Sequence, residues 1–386
     1  MLTTILQPFT VGLGLSVAAL GVVQAIGNRF SGLASSLIQP LAGHYADLFG
    51  RKAVILAGSA MTIASMALFL LAAVTHSPAA VVVAFLLYGL SSLSSPASQA
   101  MVAESVGMVP SKMNVAFSTI FLLGNLSGAL MSFAAGPLAG AVGYVALFLL
   151  ATLLESVDLF LYVSELRETG TTPARGDSME SFSFRKALAL PKGFTGLFAT
   201  FAMDSFAFSI TLSIIYGMIV TTFGYSIDII SLLVGAYLVA TLLVQYPATR
   251  LLLRFGAVKT LAFSELCGCA MMAGWAVSNS VLLFVIFSVV FGISIATWVP
   301  AQQSLLMARS PEGERGSIGG KLAIYRGLVA FPAPILGGFL YQTLGFQAPL
   351  IASFIAAAVC TVMILKLLPS SIGTTSTEEL PRSLNV

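Results

Sequence analysis

Gln39 to Gly50 reads Q-P-L-A-G-H-Y-A-D-L-F-G, and Gln245 to Gly256 reads Q-Y-P-A-T-R-L-L-L-R-F-G. The second stretch echoes the first 206 residues later, from the opening Gln to the closing Phe-Gly. Two further pairs keep almost the same spacing. Pro96 and Gln99 stand 204 residues before Pro300 and Gln303, and Gly143-Tyr144 stands 202 before Gly345-Phe346. Apolar sequences alike by chance would not stay in phase over three separate places. The chain is expected to be an internal duplication, each copy one half of the molecule.

Composition says in what medium the copies fold. Of 386 residues, 58% are hydrophobic and 9% charged, and the mean hydropathy is +0.98. A soluble domain carries about 25% charged residues. No single globular core hides this much apolar surface, so lipid must act as the solvent. A crossing takes about 20 mostly apolar residues. Such runs fall at roughly 2–20, 24–46, 52–74, 79–101, 113–137, 143–163, 193–219, 229–251, 258–277, 281–304, 317–341 and 347–367. The expected fold is an all-α membrane protein of twelve transmembrane helices in two pseudo-symmetric six-helix bundles, the first helix short. Gly and Pro inside these runs do not count against them, because neighbouring helices satisfy the freed backbone groups. The start has neither the charged opening nor the cleavage site of a secretory signal, so it reads as a span.

Lys and Arg set the orientation. One set of connections holds Arg51 and Lys52, Lys112, then Arg167, Arg175, Arg185, Lys186 and Lys192. It continues with Arg250, Arg254 and Lys259, then Arg309, Arg315 and Lys321, and last Lys366 and Arg382. The alternate connections, around 75–78, 138–143, 221–228, 277–281 and 342–347, have no Lys or Arg. The basic set and the C-terminus are expected in the cytoplasm, with the chain integral to the plasma membrane. The implied domains are a bundle over 1–165, a polar linker over 166–192, a bundle over 193–368 and a Ser/Thr-rich tail over 369–386. Cys267 and Cys269 sit about 200° apart on a helix, so one metal does not easily take both. With Cys360 they read as small apolar filler, and no disulfide framework, metal site or cofactor is implied.

Between spans two and three stands Gly43-His44-Tyr45-Ala46-Asp47-Leu48-Phe49-Gly50-Arg51-Lys52. It resembles the G-x-x-x-D-x-x-G-R-K loop of the major facilitator superfamily, a family of transporters, and the resemblance extends to the degraded copy, the span count and the middle linker. Gly43 would let two backbones approach closely. Asp47, at a helix end, suits the positive N-terminus of another helix; in the resembling family that is the start of span eleven, and the contact latches the cytoplasmic side shut. Arg51 would pair with an acid ending span four, for which Glu104 is in position. The plainer alternative is a solvated turn in which Arg51 and Lys52 only set topology. In span five, Gly136-Pro137-Leu138-Ala139-Gly140 resembles the G-P-x-x-G core of proton-coupled antiporters, and Gly124 and Gly128 add a small-residue face for helix packing. Ser132 and Ala141 depart from that pattern, and so does Leu48 from the loop. Phe85 stands where drug antiporters carry an arginine, so coupling through that group is ruled out. The first span is also shorter than the family's.

Ionisable groups inside spans need a reason, since each costs about 2.5–3.5 kcal/mol to insert. Asp204 on span seven and Arg326 on span eleven lie at matched depth, ~15 Å from the basic side. They would pair when no substrate is bound and part when one is, or else form a permanent structural pair. Glu155 and Asp158 share one face of span six, an arrangement that suits proton exchange or an interfacial polar cluster. Glu265 is expected to pair with Lys259 or another loop base, and Arg29 to snorkel toward the outer headgroups. Gln39, Gln99, Trp298, Gln302, Gln303 and Tyr325 lie on spans that line the pathway in the resembling family, and Pro96 and Pro300 would kink spans four and ten. Together they describe a pocket for an amphipathic or weakly charged solute rather than a phosphate ester.

The expected function is secondary active transport of a small solute by a monomer, proton-coupled and outward. Uptake of a neutral metabolite and a non-transporting sensor on a transporter fold are the alternatives. No basic aromatic patch suggests nucleic acid. An enzyme is not expected, because His44 and His76, the two histidines, lie in or near loops and no nucleophile or metal constellation accompanies them.

Overall fold

Four glycines turn the chain at matching places in the two halves. Gly50 (φ 92°, ψ 154°) ends one helix and starts the next, and Gly256 (φ 80°, ψ 167°) does the same in the second half. Gly143 (φ 76°, ψ 172°) folds one long helix on itself, and its counterpart Gly345 (φ 88°, ψ −172°) separates the last two. A side chain would strain each of these backbones. The duplication read in the sequence is thus repeated in the turns.

The computed structural model describes residues 2–29, 31–107, 110–169, 188–310 and 315–368. Its elements are α1 (Leu2–Gly12), α2 (Val17–Gly27), α3 (Leu33–Phe49), α4 (Arg51–Thr75), α5 (Pro78–Leu90), a 3₁₀ turn (Ser91–Leu93), α6 (Ser94–Ser105) and α7 (Pro110–Glu165). The second half holds α8 (Thr195–Leu212), α9 (Ile215–Phe223), α10 (Ile227–Phe255), α11 (Ala257–Val277), α12 (Val281–Arg309), α13 (Arg315–Ala330), α14 (Ala333–Leu344) and α15 (Gln347–Leu367). Among the described residues nine helical runs are long and apolar enough to cross a membrane, three of them joining two elements each (α5–α6, α8–α9 and α13–α14). One of them, α7, makes two crossings about Gly143. The pair α2–α3 makes one broken crossing, and α1 is short, which gives the twelve.

Two expected boundaries shift. The first two spans do not meet at residues 20–24: α1 stops at Gly12, the chain turns through Gly14 (φ 89°), and Ser16 caps α2 by accepting the Ala19 amide at 3.1 Å. The second crossing then breaks again between Gly27 and Leu33. In span four the break lies in the 3₁₀ turn upstream of Pro96, while α12 continues through Pro300 as one helix.

Each half has its own core. In the first, Phe69 meets Phe85 edge-on at 5.0 Å and stacks on Phe148 at 5.5 Å, all three buried. Phe85 is therefore core, which is the physical content of its departure from the antiporter pattern. In the second, Trp275 donates its indole N–H to the Phe284 carbonyl at 3.2 Å. Lipid tails are as apolar as these side chains, so close packing and internal hydrogen bonds hold the helices together. Leu153, Val157, Phe160 and Leu161 on α7 are exposed and suit a lipid face.

Candidate functional site

Asp204 on α8 is 6% exposed, and its Oδ2 lies 3.5 Å from Nη2 of Arg326 on α13. Arg326 Nε donates to the Ser205 hydroxyl at 2.6 Å, so the guanidinium is held by two successive residues of α8. The next residue on α13, Gly327, is where the two halves touch: a Cβ there would land on the side chain of Ser36 on α3. Any relative motion of the halves therefore acts one residue from the arginine.

Behind the pair lies an acid that the sequence placed elsewhere. Glu265 on α11 is 0% exposed and adjoins the Asp204 carboxyl and the Cys360 thiol, while Lys259 is exposed. The expected pairing of Glu265 with Lys259 is overturned, because the helix turns its acid inward and its lysine out. Among the described residues no hydrogen bond of good geometry closes on either Glu265 oxygen, although the Asp204 carboxyl and the Cys360 thiol stand beside it. A buried carboxylate without a paired cation is costly, and the ion pair of Arg326 is made with Asp204.

The end of the molecule away from the basic loops is sealed. Gln7 on α1 reaches into the break between α8 and α9, where its Nε2 donates to the Leu212 carbonyl at 3.0 Å. Its Oε1 accepts the amides of Tyr216 at 2.9 Å and Gly217 at 3.3 Å. These are backbone groups that a broken helix leaves without partners. On the other flank α2 and α14 meet backbone to backbone: a Cβ at Gly21 would collide with the Pro334 carbonyl, and one at Gly338 would stand 2.8 Å from Ala18 Cα. Along α7 and α10, Gly136 allows the same approach, a Cβ there lying 2.7 Å from Asp228 Cα. Gln7 escaped the sequence reading, because its partners lie 205 to 210 residues away.

At the basic end, Arg51 Nη2 lies 3.0 Å from Glu104 Oε1, and Arg51 Nη1 donates to the Ala46 carbonyl at 3.0 Å. Thr169 donates its hydroxyl to the other Glu104 oxygen at 2.6 Å. Glu168 caps α4, accepting the Arg51 amide at 3.0 Å and the Lys52 amide at 2.9 Å; a Cβ at Gly50 would strike that carboxylate. The Lys52 ammonium donates to the Val163 carbonyl at 2.9 Å. The start of the linker is thus bolted to the first half. Its far end is bolted to the second, where Tyr325 donates to the Leu188 carbonyl at 2.6 Å and Lys321 to that of Ala189 at 3.1 Å.

Other expected residues divide. The side chain of Asp47 lies outside the described residues, as do residues 311–314 ahead of α13 and most of the linker and tail. Among the described residues a Cβ at Gly43, Gly124 or Gly140 meets nothing within 4 Å. Gly128 makes only ordinary contact, 3.5 Å from Leu238. Trp298 and Gln302 are buried, with Trp298 edge-on to Phe201 at 5.7 Å. Gln39 is half-buried, and Gln99 and Gln303 are exposed. Tyr325 is spoken for by Leu188 and by an edge contact to Phe198 at 5.4 Å. Arg29 does not snorkel outward: it lies 5.9 Å from the centre of the Tyr88 ring and lines a partly open cavity with Glu155 and Asp158.

Known proteins place this arrangement. A sequence profile described as the Major Facilitator Superfamily matches residues 1–212 and again residues 197–384. No curated protein matches the chain in sequence. Among solved structures, the human organic anion transporter MFSD10 (TETRAN) is similar at TM-score 0.64 and 21% identity, over 93% of this chain and 88% of that one. A variant of the nucleoside transporter NupG is similar at TM-score 0.75 and 14% identity, over 95% of each chain. A D-xylose-proton symporter is similar at TM-score 0.72 and 13% identity, over 97% of this chain and 93% of that one. At these identities the likeness carries the fold alone.

Proposed function

Because the chain belongs to the major facilitator superfamily and is an integral membrane transporter, not an enzyme, we propose that it exchanges protons for a small organic solute by alternating access, exporting the solute from the cytoplasm. The observation that carries the coupling is the Asp204–Arg326 pair, set one residue from the contact between halves and backed by the buried Glu265. When a solute or a rocking motion draws Arg326 away, Asp204 loses its paired cation, and a proton is the counter-charge left to it and to Glu265 beside it. When Arg326 returns, the proton is expelled. With the basic end in the cytoplasm, as the charge rule puts it, the sealed end faces outward, and this is the inward-facing state. The Arg51–Glu104–Thr169 network and Asp47 belong to the gate that closes the basic end in the opposite state. Export rests on the resemblance of Gly136-Pro137 and Gly140 to the antiporter core, and the weakly charged lining favours an amphipathic solute.

A thermal-shift screen of the purified chain against a broad solute panel supplies a ligand. Proteoliposomes are then assayed for counterflow of that ligand and for solute-driven proton movement. Asp204→Asn should keep counterflow and lose proton movement. Unchanged proton movement would refute the assignment; proton movement running with the solute would favour uptake; absence of counterflow for every ligand would favour the sensor.

A further inference from the structure

The first half contains a cavity that the transport reading does not use. It measures about 240 Å³ and is a partly open cleft of the first half, between α4, α6, the second arm of α7 and the break after α2. Its wall is polar at membrane depth. Glu155 and Asp158 enter from α7, Ser59 and Thr62 from α4, and Ser94 and Ser98 from α6. Such a wall within lipid needs an occupant or a reason.

We propose that this cavity binds a small monovalent cation, Na⁺ in the first instance, with Glu155 and Asp158 as its charged ligands. Four observations support the assignment. Ser59 lines the cavity and is 7% exposed, and its hydroxyl makes no hydrogen bond among the described residues; it is open to a partner from the cavity. Thr62 and Ser94 differ, because their hydroxyls already donate, to the Gly58 carbonyl at 3.1 Å and to the Ser91 carbonyl at 3.1 Å, which leaves their oxygen lone pairs free to accept a cation. Second, carboxylates, hydroxyls and the Tyr162 phenol are all oxygen donors, which suits a hard cation and not a transition metal. Third, the charge count selects valence: two carboxyls and the guanidinium of Arg29 leave one net negative charge. Among the described residues no group of three or more His, Cys, Asp or Glu is placed to hold a metal ion, so a divalent ion would be under-neutralised.

The fourth observation is the position of Arg29. It is within electrostatic reach of Glu155, yet the ion pairs among the described residues are Arg51–Glu104 and Arg326–Asp204, and Arg29 closes neither carboxyl. Its guanidinium instead lies 5.9 Å from the centre of the Tyr88 ring. The two acids are therefore left without a paired cation while a basic side chain stands by on an aromatic face. Loss of the bound ion would let Arg29 swing onto Glu155, so the ion and the guanidinium compete for one carboxyl. The cavity volume accommodates an ion and a few waters.

The test uses the full chain in detergent, at fixed pH and ionic strength held with choline chloride. Radioactive Na⁺ should bind saturably at about one ion per chain. Asp158→Asn and Glu155→Gln should weaken binding at least tenfold, and Ser59→Ala by a smaller factor, while Asp228→Asn, whose carboxyl is outside the cavity, leaves it unchanged. Because a carboxyl variant can fail to fold, a second reading uses Ser98→Cys alone: Na⁺ should slow its alkylation and choline should not. The proposal is wrong if folded wild-type chain retains no Na⁺ above the choline background, which includes the case of acids that take only protons. It is also wrong if binding survives both carboxyl variants, or if Na⁺ fails to protect the thiol at position 98.

Discussion

The glycine contact between α2 and α14 makes a sharp demand. Gly21→Ala adds one methyl group, which would overlap the Pro334 carbonyl oxygen, stand 3.1 Å from its carbon and 3.5 Å from Gly338 Cα. These partners are backbone, so they cannot rotate aside; the helices must part, by something on the order of 1 Å, before the methyl group reaches ordinary contact. Overpacking of this kind costs about 1–3 kcal/mol. Alanine is the better helix former by about 1 kcal/mol, so the loss cannot come from α2 itself. It falls on the sealed state alone, whose population against the unsealed one should drop by about 5–150-fold. Leu20→Cys provides the probe, since Leu20 is fully buried beside Gly217 in the seal. A membrane-impermeant maleimide applied to the sealed end should label that cysteine faster by the same factor when Gly21→Ala is present. An unchanged labelling rate, in a chain that elutes and melts like its parent, would refute the view that backbone contact at Gly21 holds the end shut.

Gln7→Leu tests the other flank: it removes three hydrogen bonds, each worth about 0.5–1.5 kcal/mol, and labelling of Leu20→Cys should accelerate several-fold while equal rates would show the clamp to be idle. At the basic end, Glu168→Ala strips the cap from α4, a loss of about 1 kcal/mol; the melting temperature should fall by about 2–4 °C, and no fall would mean that other groups satisfy the Arg51 and Lys52 amides.

What the sequence disclosed, and what it hid, follows from the range of the interactions. The halves were legible because each turn glycine acts alone: Gly50, Gly143, Gly256 and Gly345 need only their own φ, and their spacing survives in the chain. The pairing of Asp204 with Arg326 was legible from depth, since ionisable groups in lipid seek partners at their own level. Depth alone misled for Glu265 and Arg29. Both were assigned to the nearest membrane surface, whereas the direction of the side chain decides: its helix turns Glu265 toward Asp204, and the break after α2 sets Arg29 beside Tyr88 and the cavity of Glu155 and Asp158. The breaks after Gly27 and Leu212 were invisible. In water a broken helix advertises itself with local caps, but in a bundle the orphaned amides of Tyr216 and Gly217 are served by Gln7 from the opposite half. The polar cavity of the first bundle was half seen: Glu155 and Asp158 stood out by charge, while the serines and threonine facing them looked like ordinary small residues of a membrane helix.

The two anchorages of the middle segment bear on how the halves move. Glu168 and Thr169 are fastened to the first half, and Leu188 and Ala189 to the second. Residues 170–187 alone cross between them, and at about 3.3–3.6 Å per residue they can extend to roughly 60 Å. A link of that length sets only an upper bound on the separation of its two anchors, and each anchor contact stays within one half. It keeps two bodies in one another's company, and their alternation has to be governed by the surfaces on which they roll.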